Sequence, residues 1–327
     1  MKRFLLLLLA AATVLLLAPP AEGARSPRSE TVVSFTFDGT FKGQRTAARI
    51  LSDNGMAGTF YVNSGYLGFP AYLSVDDLRS IVRDRNELGG ASLYGNDLSG
   101  LPVARATAEV CNDRMTLAQL GFQTTSFAYP HGASTAQVKS VAQQCGYNSG
   151  RELAGLYQSE SDCSSCPKGE TLPPTDDFRI RTAEPGTTLA ELKAQVLRAE
   201  RFGGGWVPLV FVKVGLDPNH PGETISPHDF TAFVRWMGSR PPTTRVATVD
   251  QVMGGQLKPV VGTPLRRLVQ DPSPAIGTTT ALSHVPAWTV LGIGIGQAQI
   301  LMLGCVMAVA AVLAYRVATK GDRYARG

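Results

Sequence analysis

The chain has 327 residues, of which 44% are apolar, enough for one large folded domain or two small ones. Its formal charge is +5, but Lys2, Arg3 and the tail after Tyr315 carry all of it, so the chain between them is neutral. The basic balance therefore gives no indication of a nucleic-acid partner, and no basic patch interleaved with aromatic residues is present.

Apolar segments at the two ends predict an exported, membrane-tethered protein. Residues 1–24 are typical of a signal peptide, and their apolar run of about 14 residues is shorter than the roughly 20 needed to span a bilayer, which favours cleavage over an anchor. Residues 287–315 are long and uncharged enough to cross a bilayer, with Trp288 near one end and Tyr315 at the other; a buried core helix is the alternative. The basic tail 316–327 marks the cytoplasmic side, so we expect a single-pass protein of the cell membrane with an extracellular ectodomain.

Alternating strands and helices fill residues 25–257, and the Pro-rich residues 258–286 predict a stalk. Capping signals at Ser74, Thr188 and Ser226 each predict the start of a helix. This alternation predicts an α/β fold with a parallel sheet, and seven strands suit a barrel better than an open sheet. The predicted strands cover residues 31–37, 58–62, 88–93, 126–129, 179–182, 206–214 and 245–248.

Export makes disulfides the expected state of the cysteines. Cys163 and Cys166 could form half of a zinc knuckle or a local disulfide, and the absence of a second Cys/His pair nearby favours the disulfide. Cys111 and Cys145 would then pair with each other. Cys305 lies in the predicted membrane segment and is expected to be a free thiol.

A strand that ends in an acidic residue and a glycine points to a site of chemistry. Thr31–Phe37 runs into Asp38-Gly39, and an Asp at the carboxyl end of a strand is a common reactive position in α/β proteins, although a simple Asx turn has the same pattern. Thr36-Phe37-Asp38 resembles the first motif of the polysaccharide deacetylases, the NodB homology family of carbohydrate esterases. Gly58–Asn63 and Phe127–Gly132 resemble later blocks of the same family. The resemblance covers residues 31–255 and implies a distorted (β/α)7 barrel.

The resemblance also implies a metal-dependent amide hydrolase, yet the residues that would bind the metal are replaced. The family holds a divalent metal such as zinc with one Asp and the two His of a His-x-x-x-His motif, which activates water for attack on an acetamide. Here Gly39, Ala91 and Gly95 stand at those positions, and Val212 replaces the catalytic His. Hydrocarbon groups cannot bind a metal or carry a proton, so we expect no cofactor.

Asp38 then remains as the residual base position. The predicted groove residues are Phe127, Tyr129, Pro130, His131, Trp206 and Lys213, with the aromatic rings available to stack on sugars. Lys213 would either pair with Asp38 or extend to solvent. Asp38, His131 and His220 could instead form an improvised site.

These observations predict a catalytically degenerate protein that binds a glycan, such as a cell-envelope polysaccharide, or a protein partner. One alternative is an active hydrolase of N-acetyl amide bonds with a rebuilt site. Another is a structural partner of an active deacetylase.

Overall fold

The computed structural model describes residues 30–215 and 221–262, and every statement below concerns this part of the chain. It contains ten strands, eight helices and three short 3-10 turns. In chain order the helices and strands are β1 (Thr31–Phe37), α1 (Gln44–Asp53), β2 (Gly58–Val62), α2 (Val75–Arg83), β3 (Glu87–Gly90), α3 (Val103–Gln119), β4 (Ser126–Ala128), α4 (Ala136–Gln144), β5 (Ser149–Gly155), α5 (Glu160–Cys163), β6 (Ile180–Thr182), α6 (Leu189–Arg201), β7 (Gly205–Phe211), β8 (Lys213–Val214), β9 (Thr224–Ile225), α7 (Pro227–Gly238), β10 (Thr244–Val246) and α8 (Val249–Met253).

The main sheet is parallel and curls around its first strand. β1 pairs with β7 along its whole length, while β10 and β2 share its other edge. From β2 the sheet continues through β3, β4 and β5 to β6. Backbone bonds from Ala183 N to Pro208 O (3.2 Å) and from Gly186 N to Val210 O (3.1 Å) join the chain after β6 to β7. Because the strands of this sheet are parallel, their carboxyl ends all lie on one side of it, and we call this side the mouth.

The core explains why these residues form strands and helices. Every residue of β1 is buried, and its Phe35 and Phe37 pack against rings from β2, β7 and α7. Strands buried on both faces are typical of parallel sheets covered by helices. Helix starts follow the predicted caps: the Ser74 and Thr188 side chains accept from the third helical residue in complete capping boxes.

Most predicted strands are present, but several differ. The predicted strand 206–214 is divided into β7 and β8, and β8 pairs with the short, unpredicted β9 in a separate two-stranded sheet. The predicted third strand ends at Gly90, three residues earlier than expected. β5, residues Ser149–Gly155, was not predicted at all; it pairs with β4 on one side and β6 on the other. The observed architecture is a curled parallel α/β sheet of eight strands, consistent with a distorted (β/α)7 barrel formed by β1 to β7, with the short β10 added beside β1.

Both predicted disulfides are confirmed, Cys111–Cys145 between α3 and the end of α4, and Cys163–Cys166 beside α5. Next to the first, the buried Arg114 guanidinium donates to the carbonyls of Cys145, Lys258 and Pro259 at 2.8–2.9 Å. The start of the predicted stalk, residues 258–262, therefore continues along the folded domain.

Several sequence-based predictions lie outside the described residues. These are the signal peptide 1–24, most of the stalk 258–286, the transmembrane helix 287–315 with Cys305, and the tail 316–327. Within the described ranges, no helix combines the length and apolar character needed to cross a bilayer.

Candidate functional site

Asp38 lies at the mouth, directly after β1, as the sequence predicted for a reactive position. Its backbone N–H donates to Phe211 O at 2.9 Å, and its carbonyl accepts from Gln44 Nε2 at 2.6 Å, which ties the ends of β1 and β7 to α1. Its carboxylate forms an ion pair with the guanidinium of Arg151 from β5. The lone acid of the first motif is thus held by a cation rather than standing free.

Arg151 makes this ion pair an unusual one, because its side chain is only 1% exposed while that of Asp38 is 27% exposed. The guanidinium also donates to Glu152 O at 3.0 Å and lies over the ring of Tyr61, 4.9 Å from the centroid. Burial disfavours its charged form, but Asp38, with a further contribution from Tyr61, raises the pKa of Arg151 above its usual value. The guanidinium is therefore charged at all physiological pH values.

The position of the family's metal-binding Asp is filled by a neighbouring side chain. Gly39 has a φ of +93°, and a Cβ placed on it would lie 2.5 Å from Cε2 of Phe41. A side chain at this position therefore needs both a strained backbone and displacement of the Phe41 ring. The ring covers the space into which a carboxylate would have to project.

The two positions of the His-x-x-x-His motif also lack donor atoms. Ala91 is buried in a small apolar cluster with Tyr61 and Ala128. Gly95 has a φ of +66°, and a Cβ on it would contact the Asn63 amide at 3.4 Å. The residues at the mouth thus do not fit the family's metal: the three ligand positions offer no nitrogen or oxygen side chain, and the carboxylate of Asp38 is paired with Arg151.

The groove prediction needs correction for four of its six residues. Phe127, Tyr129 and Pro130 are buried, and the Tyr129 hydroxyl donates to Phe178 O at 3.1 Å. Trp206 is also fully buried, and it stands at the start of β7, the end away from the mouth, where its indole N–H donates to Ser34 at 2.9 Å. None of these four side chains can present a face to a sugar, because each is used in the core.

The remaining predicted residues are exposed or half-buried. His131 is exposed, with a φ of 56°, and contributes to lowering the pKa of Asp97 after the hydrogen bonds from Ser99. Lys213 is half-buried; its Nζ lies 3.7 Å from Glu223 Oε2 and 4.9 Å from the Phe41 ring centroid. The described partner of Asp38 is therefore Arg151. His220, the third member of the improvised site, lies outside the described residues.

A buried acid behind the mouth organises the loops. Asp113 of α3 accepts from Ser64 N at 2.8 Å and from Ala91 N at 3.2 Å, which joins the chain after β2 to the chain after β3. Burial raises the pKa of Asp113 to about 7, against the lowering effect of these hydrogen bonds. It faces the backbone, so it stabilises the scaffold.

Sequence reasoning missed Arg151, Phe41 and Tyr94. Arg151 lies on the one strand of the barrel that was not predicted, so no pattern placed it at the mouth. Phe41 and Tyr94 follow the ends of β1 and β3, and aromatic residues at such positions were a usable signal for a binding surface.

The polysaccharide deacetylase family model matches residues 25–150, which confirms the family resemblance of the motifs. A comparison with curated proteins finds no match.

Solved structures of the family are also similar to the chain. A peptidoglycan deacetylase from Bacillus subtilis is 14% identical with a TM-score of 0.44, covering 69% of this chain and 92% of its own. A family 4 carbohydrate esterase from Streptomyces lividans in complex with acetate is 14% identical with a TM-score of 0.41, covering 65% and 91%. A pseudoenzyme of that family from Bacillus anthracis is 11% identical with a TM-score of 0.43, covering 69% and 66%. These likenesses are too distant to assign an activity to the chain.

The expectation that no cofactor is used is contradicted by the family match. The family whose model covers residues 25–150 depends on a divalent metal, so a general statement that this chain uses none does not stand. The structural observation is narrower. In the two described stretches of chain, no cluster of three or more His, Cys, Asp or Glu side chains could hold a metal ion.

Proposed function

We propose that the chain is an extracytoplasmic polysaccharide-deacetylase-like protein that binds a glycan at the barrel mouth and has lost the family's hydrolytic activity. The observation that carries the proposal is the Phe41 ring lying over Gly39, at the position where the family places a metal-binding carboxylate. The side chain of a neighbouring residue could in principle replace the missing metal-binding carboxylate. Here the neighbouring side chain is the apolar ring of Phe41, which occupies the space.

The state of Asp38 supports the same conclusion. A general base must be within reach of the water it deprotonates, and its carboxylate must be free to accept the proton. The Asp38 carboxylate accepts from a guanidinium that is 1% exposed and stays charged. The ion pair commits one oxygen of Asp38, Oδ1, to a contact inside the fold, which supports a structural role for this residue.

Membrane attachment belongs to the same proposal and rests on the sequence. The uncharged segment 287–315 and the basic tail 316–327 would hold the domain at the outer face of the cell membrane. Nothing in the composition favours nucleic acid as a partner.

The proposal is tested with the purified full-length chain, N-acetylated polysaccharides and added zinc. We expect the polysaccharide to bind to the protein, as measured by co-sedimentation or by titration. We expect acetate release to equal that of the no-protein control. The alternative, an active hydrolase with a rebuilt site, predicts acetate release that Asp38→Asn abolishes. A structural partner of a deacetylase predicts neither binding nor release.

A further inference from the structure

An aromatic surface borders the mouth on the loops that follow β1, β2 and β3. We call the side chains of Phe41, Tyr66, Phe69, Tyr72 and Tyr94 the aromatic strip. Ring centroids are 5.4 Å apart for Phe41 and Tyr72, 4.8 Å for Tyr72 and Tyr66, and 5.7 Å for Tyr66 and Tyr94. The strip therefore runs from the ring over Gly39 outward across three loops.

Two parts of the strip differ in what they offer a ligand. Phe41, Tyr72 and Tyr66 are half-buried and stacked nearly parallel, with interplanar angles of 21° and 15°, so they form a base. Tyr94 stands at 71° to Tyr66 and is 47% exposed, and Phe69 is 58% exposed. The base supports two rings that present large apolar area to solvent.

Backbone contacts hold the strip in one arrangement. Lys42 N donates to Ala71 O at 3.1 Å, and Leu73 N donates to Thr40 O at 2.9 Å, which joins the first two loops. Gly65 N donates to Leu93 O at 3.0 Å, and the Tyr66 hydroxyl donates to Tyr94 O at 2.9 Å. A surface fixed before binding loses little conformational entropy when a ligand arrives.

We propose that the aromatic strip is a sugar-stacking surface, with Tyr94 and Phe69 as the rings that pack against the pyranose units of an oligosaccharide. Large exposed aromatic rings grouped on one surface mark a binding surface. Tyrosine suits a sugar because its ring contacts the C–H face while its hydroxyl bonds to the polar edge. The whole strip lies within residues 25–150, the stretch that matches the polysaccharide deacetylases. The inference rests on the proposed function and assigns its ligand contact.

The length of the strip sets an expectation about the ligand. Four rings in series, with Phe69 on the same loop as Tyr66 and Tyr72, extend beyond one pyranose, so affinity should rise from a single sugar to a tetramer. At the inner end of the strip, Lys213 lies 4.9 Å from the centroid of the Phe41 ring and 3.7 Å from Glu223 Oε2. The outer end carries exposed ring surface only from Tyr94 and Phe69, so these two rings should control affinity for the longer ligand.

The test compares Tyr94→Ala, Phe69→Ala and Phe202→Ala in the full-length chain. Phe202 is a matched control, since it is 62% exposed at the end of α6, before β7 and away from the mouth. The probes are N-acetylglucosamine, its tetramer, acetylated xylan and purified peptidoglycan, measured by calorimetry or sedimentation. We expect Tyr94→Ala and Phe69→Ala each to weaken binding of the best probe at least tenfold, and Phe202→Ala to leave it unchanged. Thermal unfolding should be unchanged in all three, because the replaced rings are exposed.

The other outcomes separate this inference from the proposed function. If the parent chain binds a probe and both strip variants bind it equally well, the inference is wrong while the proposed function stands. If the parent chain binds none of the probes, both fail. If the strip variants lose binding to phosphatidylglycerol vesicles while no carbohydrate binds, the strip is a membrane-contacting surface and the inference is overturned.

Discussion

The Asp38–Arg151 pair makes an asymmetric prediction about stability. Asp38→Asn keeps the shape of the side chain but removes the charge, leaving a guanidinium that is 1% exposed without a counter-ion. Breaking a buried pair in this way costs about 3–5 kcal/mol. Arg151→Met fills much of the same space and leaves a carboxylate that is 27% exposed and can be hydrated. Its cost should be that of one charged hydrogen bond, about 1.5–3 kcal/mol.

Urea unfolding of the oxidised protein, followed by tryptophan fluorescence, measures both costs. With a slope of about 3 kcal/mol per M, a loss of about 4 kcal/mol moves the midpoint by more than 1 M. We expect the Asp38→Asn midpoint to fall further than that of Arg151→Met, and the double variant to lose less than the two single losses combined. Equal single losses, or a double variant that is fully additive, would refute the buried pair as the organising interaction of the mouth.

Three further predictions concern the scaffold. The pKa of Asp113 is raised from 3.8 to about 7, so between those pH values the folded state retains a proton that the unfolded state has released, and the stability of the parent chain falls as pH rises. Asp113→Asn has no such proton, so its stability relative to the parent chain should increase by up to about 1.4 kcal/mol per pH unit from pH 5 to 7. Urea unfolding at each pH measures this difference, and a difference that stays constant would contradict the prediction. Arg114→Met removes the donors to the carbonyls of Lys258 and Pro259, so thermolysin should cut within residues 254–262 several times faster, with unchanged cleavage refuting the contact. Replacing Cys111 and Cys145 by Ser opens a crosslink across 34 residues and should lower stability by about 3–4 kcal/mol in the same urea assay, whereas a loss below 1 kcal/mol would contradict it.

Strands could be predicted from the sequence where their own residue types favour the strand conformation. β1 and β2 are rich in β-branched and aromatic residues, and they appear where expected. β5 reads Ser-Gly-Arg-Glu-Leu-Ala-Gly, with two glycines and no β-branched residue. It is a strand because β4 and β6 supply hydrogen bonds on both sides, which is tertiary information absent from local propensity.

The candidate site was predicted only in part for a related reason. Asp38 and the replaced positions Gly39, Ala91 and Gly95 could be placed, because they sit within or beside recognisable motifs. The cation that pairs with Asp38 lies 113 residues away on the missed strand. Trp206 was placed in the groove because it is aromatic, but the first residues of a parallel strand lie at the end opposite the mouth. Position along the strand decides which end a side chain reaches.

Acetate release in the presence of added zinc distinguishes a degenerate mouth from a working hydrolase. Purified full-length chain would be incubated with acetylated xylan and N-acetylglucosamine oligomers, and free acetate measured against a no-protein control. We expect release equal to the control at every zinc concentration, for the parent chain and for Asp38→Asn alike. Zinc-dependent release that disappears in Asp38→Asn would show a working hydrolase and contradict a mouth closed by Phe41 and Arg151.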